Sequence, residues 1–202
     1  MLFRSVCVIR ATYEKEKGWI GDAEKQIPRT DIGRADVSWF VVSHRQEPVG
    51  VLRVLYAPPL AEYAKYGMKP INPSLHVEEF IRKNRIAEIG RLAVVSRYRR
   101  RIMVATALMR AAMEDTVSRD FTHFITDVFE DDPHSPYGFH TRVLGFLPVA
   151  THETGELTIR SRRITMLLDI KAAYHRLKKR ENWIFRQLTG HWGDALHQRL
   201  AV

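Results

Sequence analysis

A chain of 202 residues with 45% apolar and 27% charged side chains is long enough to bury one domain core, and its composition is not that of a disordered or fibrous protein. Its formal net charge of +9 points to an acidic partner: nucleic acid, an anionic membrane or an acidic protein. Cys7 is the only cysteine, which excludes an intrachain disulfide frame and a cysteine zinc site. No apolar run has transmembrane length or signal-peptide form, so a cytoplasmic protein is expected.

Residues 1–20 admit two readings, a strand over 5–9 or a helix from Phe3 and Arg4 to Trp19. Cys7, within an apolar SVCVI run, reads as core and not as a nucleophile. Residues 22–36 are polar, carry Pro28 and Gly33, and read as loop; Asp31 and Asp36 fit loop or capping positions there. Two strands follow, over 39–43 and 49–56, around a turn at 44–48. Arg53 lies among Val51, Leu52, Val54 and Leu55, and a charge in such a run needs a partner or a polar cavity. Residues 57–85 are rich in proline and tyrosine, with a short helix expected from His76 to Arg82; this connection suits a lid, a tunnel wall or ordinary packing.

Residues 86–119 organise the chain. Residues 86–95 are apolar and β-branched enough for a buried strand. Arg97, Arg99, Arg100 and Arg101 fill the next turn, and Ala105, Leu108, Met109, Ala112 and Met113 then recur at helical spacing. The first N–H groups of such a helix are unpaired and attract anions, and arginines add charge-assisted bonds, so the turn can hold a phosphate. The same arginines also read as a solvated or nucleic-acid-facing patch. On strict alternation Glu88 and Arg91 point to opposite faces, but Gly90 between them marks a candidate bulge that would bring both to one side. The alternative is a structural Glu–Arg pair.

A further strand is expected over 121–128. Glu130, Asp131, Asp132 and His134 follow it in a loop without metal-ligand spacing, so no metal is expected. Residues 137–144 read as a short helix. Residues 146–150 and 156–170 read as a hairpin about Thr154 and Gly155, made basic by Arg160, Arg162 and Arg163. Residues 171–200 read as amphipathic helix, with Ala173, Leu177, Trp183, Ile184 and Leu188 on its apolar face and a break at Gly190.

Glu88-Ile-Gly-Arg91-Leu-Ala-Val followed by Tyr98-Arg-Arg-Arg101 resembles the fourth strand and following loop of the GNAT acyltransferase superfamily. Its E-x-x-R-x-A-V form is similar to that of acyl-homoserine-lactone synthases and N-acyl amino acid synthases. Val49-Gly-Val-Leu-Arg53, Glu16-Lys-Gly18-Trp19 and Leu144-Gly145-Phe146 resemble further pieces of that pattern in the same order. The resemblance spans roughly residues 10–170. It implies an α/β GNAT fold, a mixed twisted sheet with helices on both faces, over 1–170, and a helical extension over 171–202 packed on the same domain.

The implied reaction moves an acyl group, long-chain by this resemblance, from an acyl-phosphopantetheine thioester to the amine of a small amino-acid-like acceptor. Acyl carrier protein is the expected donor partner. The resemblance assigns Glu88 as base and Arg53 and Arg91 to the amine substrate. It assigns Ala93 and Val94 to the pantetheine through their backbone, and Arg99, Arg100, Arg101 and Ile102 to the phosphate. Two departures stand out. Ile102 and Val104 occupy positions where the usual phosphate loop has glycines, which favours carrier protein over coenzyme A. The position of the usual general-acid tyrosine holds Thr141, with His140 beside it. The rival readings are a coenzyme A-dependent acetyltransferase and, from charge alone, a non-enzymatic nucleic-acid-binding protein, which lacks an interleaved basic-aromatic stripe. A membrane surface is a further candidate partner.

Overall fold

The computed structural model describes residues 2–31, 33–60, 65–71, 77–155, 157, 159, 161–180 and 183–201. The chain opens with helix α1, Leu2–Ile9, which widens into a π-helical segment, Arg10–Glu16. The strands are β1 Val37–His44, β2 Glu47–Leu55, β3 Lys69–Pro70, β4 Ile86–Val94, β5 His123–Phe129, β6 Leu147–His152 and β7 Arg163–Asp169. Between them lie α2 Val77–Lys83, α3 Ile102–Ser118 and a second π-helical segment, Phe139–Leu144; α4 Ile170–Lys179, α5 Trp183–Thr189 and α6 Asp194–Ala201 follow.

The strands form one sheet in the order β1-β2-β4-β5-β7-β6-β3. Every neighbouring pair is antiparallel except β4 and β5, which are parallel. α3 supplies their crossover, as a parallel connection requires. Helices cover both faces. On one, Val8, Ile9 and Tyr13 of the first helix pack on Val37, Trp39, Val51 and Ala93. On the other, Val104, Leu108, Met109 and Met113 of α3 pack on Leu52, Val54, Ala87 and Ile89. Tyr174, Leu177, Leu188, Trp192 and Leu200 of the last three helices and the turns between them belong to this same second core. Gly50 sets the depth of that packing, since a Cβ there would lie 2.7 Å from Val104 Cγ1.

β4 and β5 pair only from Ile86–His123 to Ile89–Thr126, where Thr126 Oγ1 donates to Ile89 O at 2.9 Å. Beyond that point the strands part, and the space between them becomes the cleft described below.

Several sequence expectations change in detail. Residues 2–16 take the helical alternative. β1 and β2 are joined by a two-residue turn at Arg45 and Gln46, both at positive φ, 49° and 68°, so Pro48 lies inside β2 beside a register shift at Val42/Ser43. Positive φ at both turn positions matches the strand twist of a tight hairpin. β7 begins at Arg163 rather than 156; Glu156 and Arg160 lie outside the described residues, as does His76. The C-terminal helix breaks at Gly190 as expected and also after Lys179, giving three short helices. Cys7 is only partly buried.

Candidate functional site

The cleft at the β4/β5 splay has a volume of about 1000 Å³. Of the site residues that the resemblance assigns, it is lined by Glu88, Arg91, Ala93, Val94, Arg99, Arg100 and Ile102. Arg53 and Arg101 do not line it.

Its floor is built by an irregularity in β4. The β2–β4 register runs Val51↔Ala93 and then Arg53↔Gly90, so β4 carries one extra residue between Gly90 and Ala93. Arg91 is in the left-handed region at φ 53°. The expected bulge is therefore present, but its strained residue is Arg91, while Gly90 serves a different need. Gly90 lies opposite Arg53, and a Cβ on it would sit 3.0 Å from Arg53 Nη2 and 3.4 Å from Glu88 Oε1. A side chain there would crowd the pair those two make. Arg53 Nη2 donates to Glu88 Oε1 at 3.1 Å with both residues buried, 7% and 8% exposed. Glu88 lines the cleft, and Arg53, which does not, pairs with it. Arg91, also buried, donates to Gln26 Oε1 at 2.8 Å. Thus Arg53, assigned to the substrate from sequence, is placed as the partner of Glu88.

The mouth is ionic. Arg99 donates through Nε to Val94 O at 3.0 Å and through both terminal nitrogens to the Glu16 carboxylate. Those hydrogen bonds hold the Glu16 carboxyl below the usual glutamate range against the opposing effect of burial. Lys17 pairs with Asp132 and lies 4.0 Å over the Trp19 ring. The E-x-G-W turn thereby ties the end of the first helix to the walls on both sides of the splay, with Gly18 at φ 62°. Arg100 is exposed at the mouth and belongs to no ion pair among the described residues. Arg101 is turned outward, 5.1 Å from the Tyr98 ring centroid. Arg97 pairs with Glu47. Of the four clustered arginines, two line the cleft, and Arg100 is the one left for an incoming anion.

Sequence reasoning missed the β5 wall. Asp127 lines the cleft on the sheet face that carries Glu88, and accepts from Thr165 Oγ1 at 2.7 Å. His152 Nε2 lies 3.3 Å from Asp127 Oδ2, an ion-pair contact. Burial works against a charged His152, but the Asp127 carboxylate outweighs it and raises the pKa above the usual histidine value. Asp127 and His152 are 25 residues apart and only the β5–β7–β6 order joins them, so no local motif announced them. His140, buried, lines the cleft as well, and desolvation pushes its pKa down to about 4. Tyr137 is not among the lining residues. Asp31 and Asp36 are held in ion pairs with Arg34, in keeping with loop roles. Among the described residues, no three histidine, cysteine, aspartate or glutamate side chains gather as a metal site, and no helix is long and apolar enough to cross a membrane.

A parallel pair of strands that splays beside a bulged strand, with an arginine turn leading into the helix, is matched by sequence. Residues 8–146 match the model of the acetyltransferase (GNAT) family. The chain belongs to that family. No curated protein sequence matches it. Among solved structures, this GNAT chain is similar to FeeM, an N-acyl amino acid synthase from uncultured soil microbes, with 14% identity, 85% of this chain and 91% of that one covered, and a TM-score of 0.61. It is similar to an aminoglycoside 6'-N-acetyltransferase from Enterococcus faecium, with 14% identity, coverage of 84% and 90%, and a TM-score of 0.56. A third, an aminoglycoside 6'-N-acetyltransferase complexed with coenzyme A, has 13% identity, coverage of 84% and 90%, and a TM-score of 0.57. Identities this low speak to the fold alone. As a GNAT-family enzyme the chain is an acyl-donor-dependent N-acyltransferase.

Proposed function

We propose that this GNAT enzyme transfers a long-chain acyl group from an acyl carrier protein thioester to the amine of a small amino-acid-like acceptor. The observation that carries the reading is Glu88: a carboxylate at the floor of a large cleft, held by Arg53, beside a strand bulge at the splay. A primary amine arrives largely as an ammonium and must lose a proton before or as it attacks a thioester carbonyl. Glu88 accepts that proton, directly or through water. Nitrogen then bonds to the carbonyl carbon, the C–S bond breaks, and the second proton that nitrogen loses goes to the pantetheine sulfur, which leaves as thiol.

The backbone at Ala93 and Val94, on the β4 edge that β5 has left, offers groups to the thioester and its arm. Arg100, the start of α3 at Ile102 and, once released from Glu16, Arg99 hold the phosphate. Arg53 orients Glu88, and Arg91 at the bulge is left to the acceptor side. Residues 1–170 form the catalytic unit in this reading, with 171–202 as an extension sharing its core.

Support for a carrier protein comes from the charge. The chain carries a net +9, and exposed Arg100 lines the mouth, with Arg97 and Arg101 exposed on the same turn. The phosphate turn also lacks the glycines expected for wrapping a coenzyme A diphosphate. Support for a long chain comes from the cleft's volume and its apolar walls, Tyr13, Trp19, Phe129 and Leu157. The second reading, a coenzyme A-dependent acetyltransferase, is favoured by the coenzyme A complex of the related fold.

The test compares palmitoyl-carrier protein with palmitoyl-coenzyme A on one amine acceptor at two salt concentrations. Carrier protein should be the better donor by at least about tenfold in kcat/KM, about 1.4 kcal/mol. The advantage should shrink as salt screens the encounter. Equal efficiencies, or a preference for coenzyme A, would favour the second reading.

A further inference from the structure

Strand order brings a second carboxylate to the sheet face that carries Glu88. Ile125 is the cross-strand partner of Glu88, and Asp127 lies two residues, about 7 Å, further along β5. Thr165 stands opposite Asp127 on β7, and His152 of β6 pairs with Arg163, two residues before Thr165. Thr165 Oγ1 donates to Asp127 Oδ1 at 2.7 Å, and His152 Nε2 lies 3.3 Å from Oδ2. The His152 side chain has no solvent exposure, while that of Asp127 keeps 22%.

His152 Nδ1 is 2.5 Å from the Thr154 carbonyl, which can only accept, so Nδ1 carries a proton. Nε2 then faces a carboxylate oxygen favourably only if it is protonated too. The geometry makes His152 an imidazolium, and the upward direction of its pKa, reached despite burial, agrees. Tyr66 stacks on the ring at a centroid distance of 5.8 Å and holds it from the side. The arrangement repeats that at Glu88: in each pair the carboxylate lines the cleft and the cation, His152 or Arg53, does not. Arg91 and Arg163 also line the cleft, but they have other partners: Arg91 donates to Gln26, and Arg163 to the carbonyls of Leu157 and Ile159. A carboxylate has about four lone-pair sites. Thr165 and His152 leave Asp127 capacity for donors that enter the cleft. A primary ammonium brings a positive charge and several N–H donors, so two carboxylates on one face suit it. One takes a proton while the other keeps hold of the nitrogen.

We propose that Asp127 binds the ammonium group of the acceptor and holds its nitrogen while Glu88 takes the proton, with His152 as the positioning residue that fixes Asp127. This rests on the acyl-transfer reading. An alcohol of the same shape brings one donor and no charge, so the contact selects amines.

Wild type, Asp127→Asn, His152→Gln and the double variant are assayed with palmitoyl-carrier protein and palmitoyl-coenzyme A as donors. The acceptor is whichever standard amino acid the wild type acylates best. D127N should raise the acceptor KM about tenfold to a hundredfold, the usual worth of a hydrogen bond to a charged group, with kcat within about threefold and the donor KM unchanged. H152Q should raise it less, and the double variant should be no worse than D127N, because His152 acts through Asp127. A merely structural pair would instead lower the melting temperature and leave the acceptor KM in place. In wild type with 15N-labelled histidine and saturating holo-carrier protein, adding the same amino acid should shift the His152 Nε2 resonance. That readout stands even if the variants do not fold. An unchanged acceptor KM in D127N, a loss confined to kcat, additive losses in the double variant, or an unmoved resonance would overturn the proposal while leaving acyl transfer standing. A wild-type chain that acylates no amino acid from either donor would overturn both.

Discussion

The floor and the mouth of the cleft use the same two residue types in opposite settings. At the floor, Arg53 and Glu88 face each other at 3.1 Å with almost no water access. At the mouth, Arg100 and Arg101 stand in solvent, and Arg99 is shared between Glu16 and a backbone carbonyl. A desolvated pair is strongly dependent on both members, because removing one leaves the other's charge buried with less to compensate it. Solvated arginines are screened and individually replaceable. Floor substitutions should therefore act on chemistry and folding, and mouth substitutions on donor encounter and its salt dependence.

Glu88→Gln separates the regions most sharply. It should lower kcat for acyl transfer by about two to four orders of magnitude, the usual worth of a positioned base, with donor affinity retained. Because glutamine still offers Arg53 an oxygen, the chain should remain folded. Turnover near wild type would reassign Glu88 to structure.

Arg53→Met tests the same floor from behind. Leaving Glu88 buried without the guanidinium should cost about 3–5 kcal/mol and lower the melting temperature clearly. An unchanged melting temperature would show that the floor is as replaceable as the mouth.

At the mouth, alanine at Arg99, Arg100 and Arg101 together should raise the donor KM severalfold at low salt, with little effect at high salt. Among single variants Arg100→Ala should account for most of this and Arg101→Ala for least, since Arg101 points away from the cleft. Equal effects from both would mean a diffuse field rather than a cradle.

The smallest effect concerns Glu16. Its carboxyl lies below the usual glutamate range in the folded chain, so the Arg99 pair stabilises above the unfolded value and is lost as pH falls through the lower folded one. Between pH 5 and pH 3, Glu16→Gln should lose less stability than wild type. Parallel pH profiles would show that the pair adds nothing, an outcome common for exposed pairs.

The parts of this fold that were legible in the sequence are those written in one strand or one turn. The apolar run before the arginine turn marked β4, Gly90 drew attention to a bulge whose left-handed residue is its neighbour Arg91, and the spacing of Leu108, Met109 and Met113 marked α3. Glu88 was legible because it shares a short motif with Arg91. Arg53 was half legible: its place in an apolar strand signalled a need for a partner, but only the β2–β4 register shows that the partner is Glu88. Asp127 with His152 was not legible, since their meeting depends on strand order. His140 stands beside Thr141, where the family pattern has a tyrosine, yet its burial could not be read from that position. Burial and partnership are tertiary facts.

The central claim, that the cleft joins an acyl chain to an amine with Glu88 as base, is tested most directly in cells. Lipid extracts from cells overproducing the wild-type chain and the Glu88→Gln variant would be compared by mass spectrometry. The wild type should accumulate N-acyl amides of a small amine that are absent or strongly reduced with the variant at equal protein levels. Identical lipid profiles for the two, with both chains folded, would contradict the account.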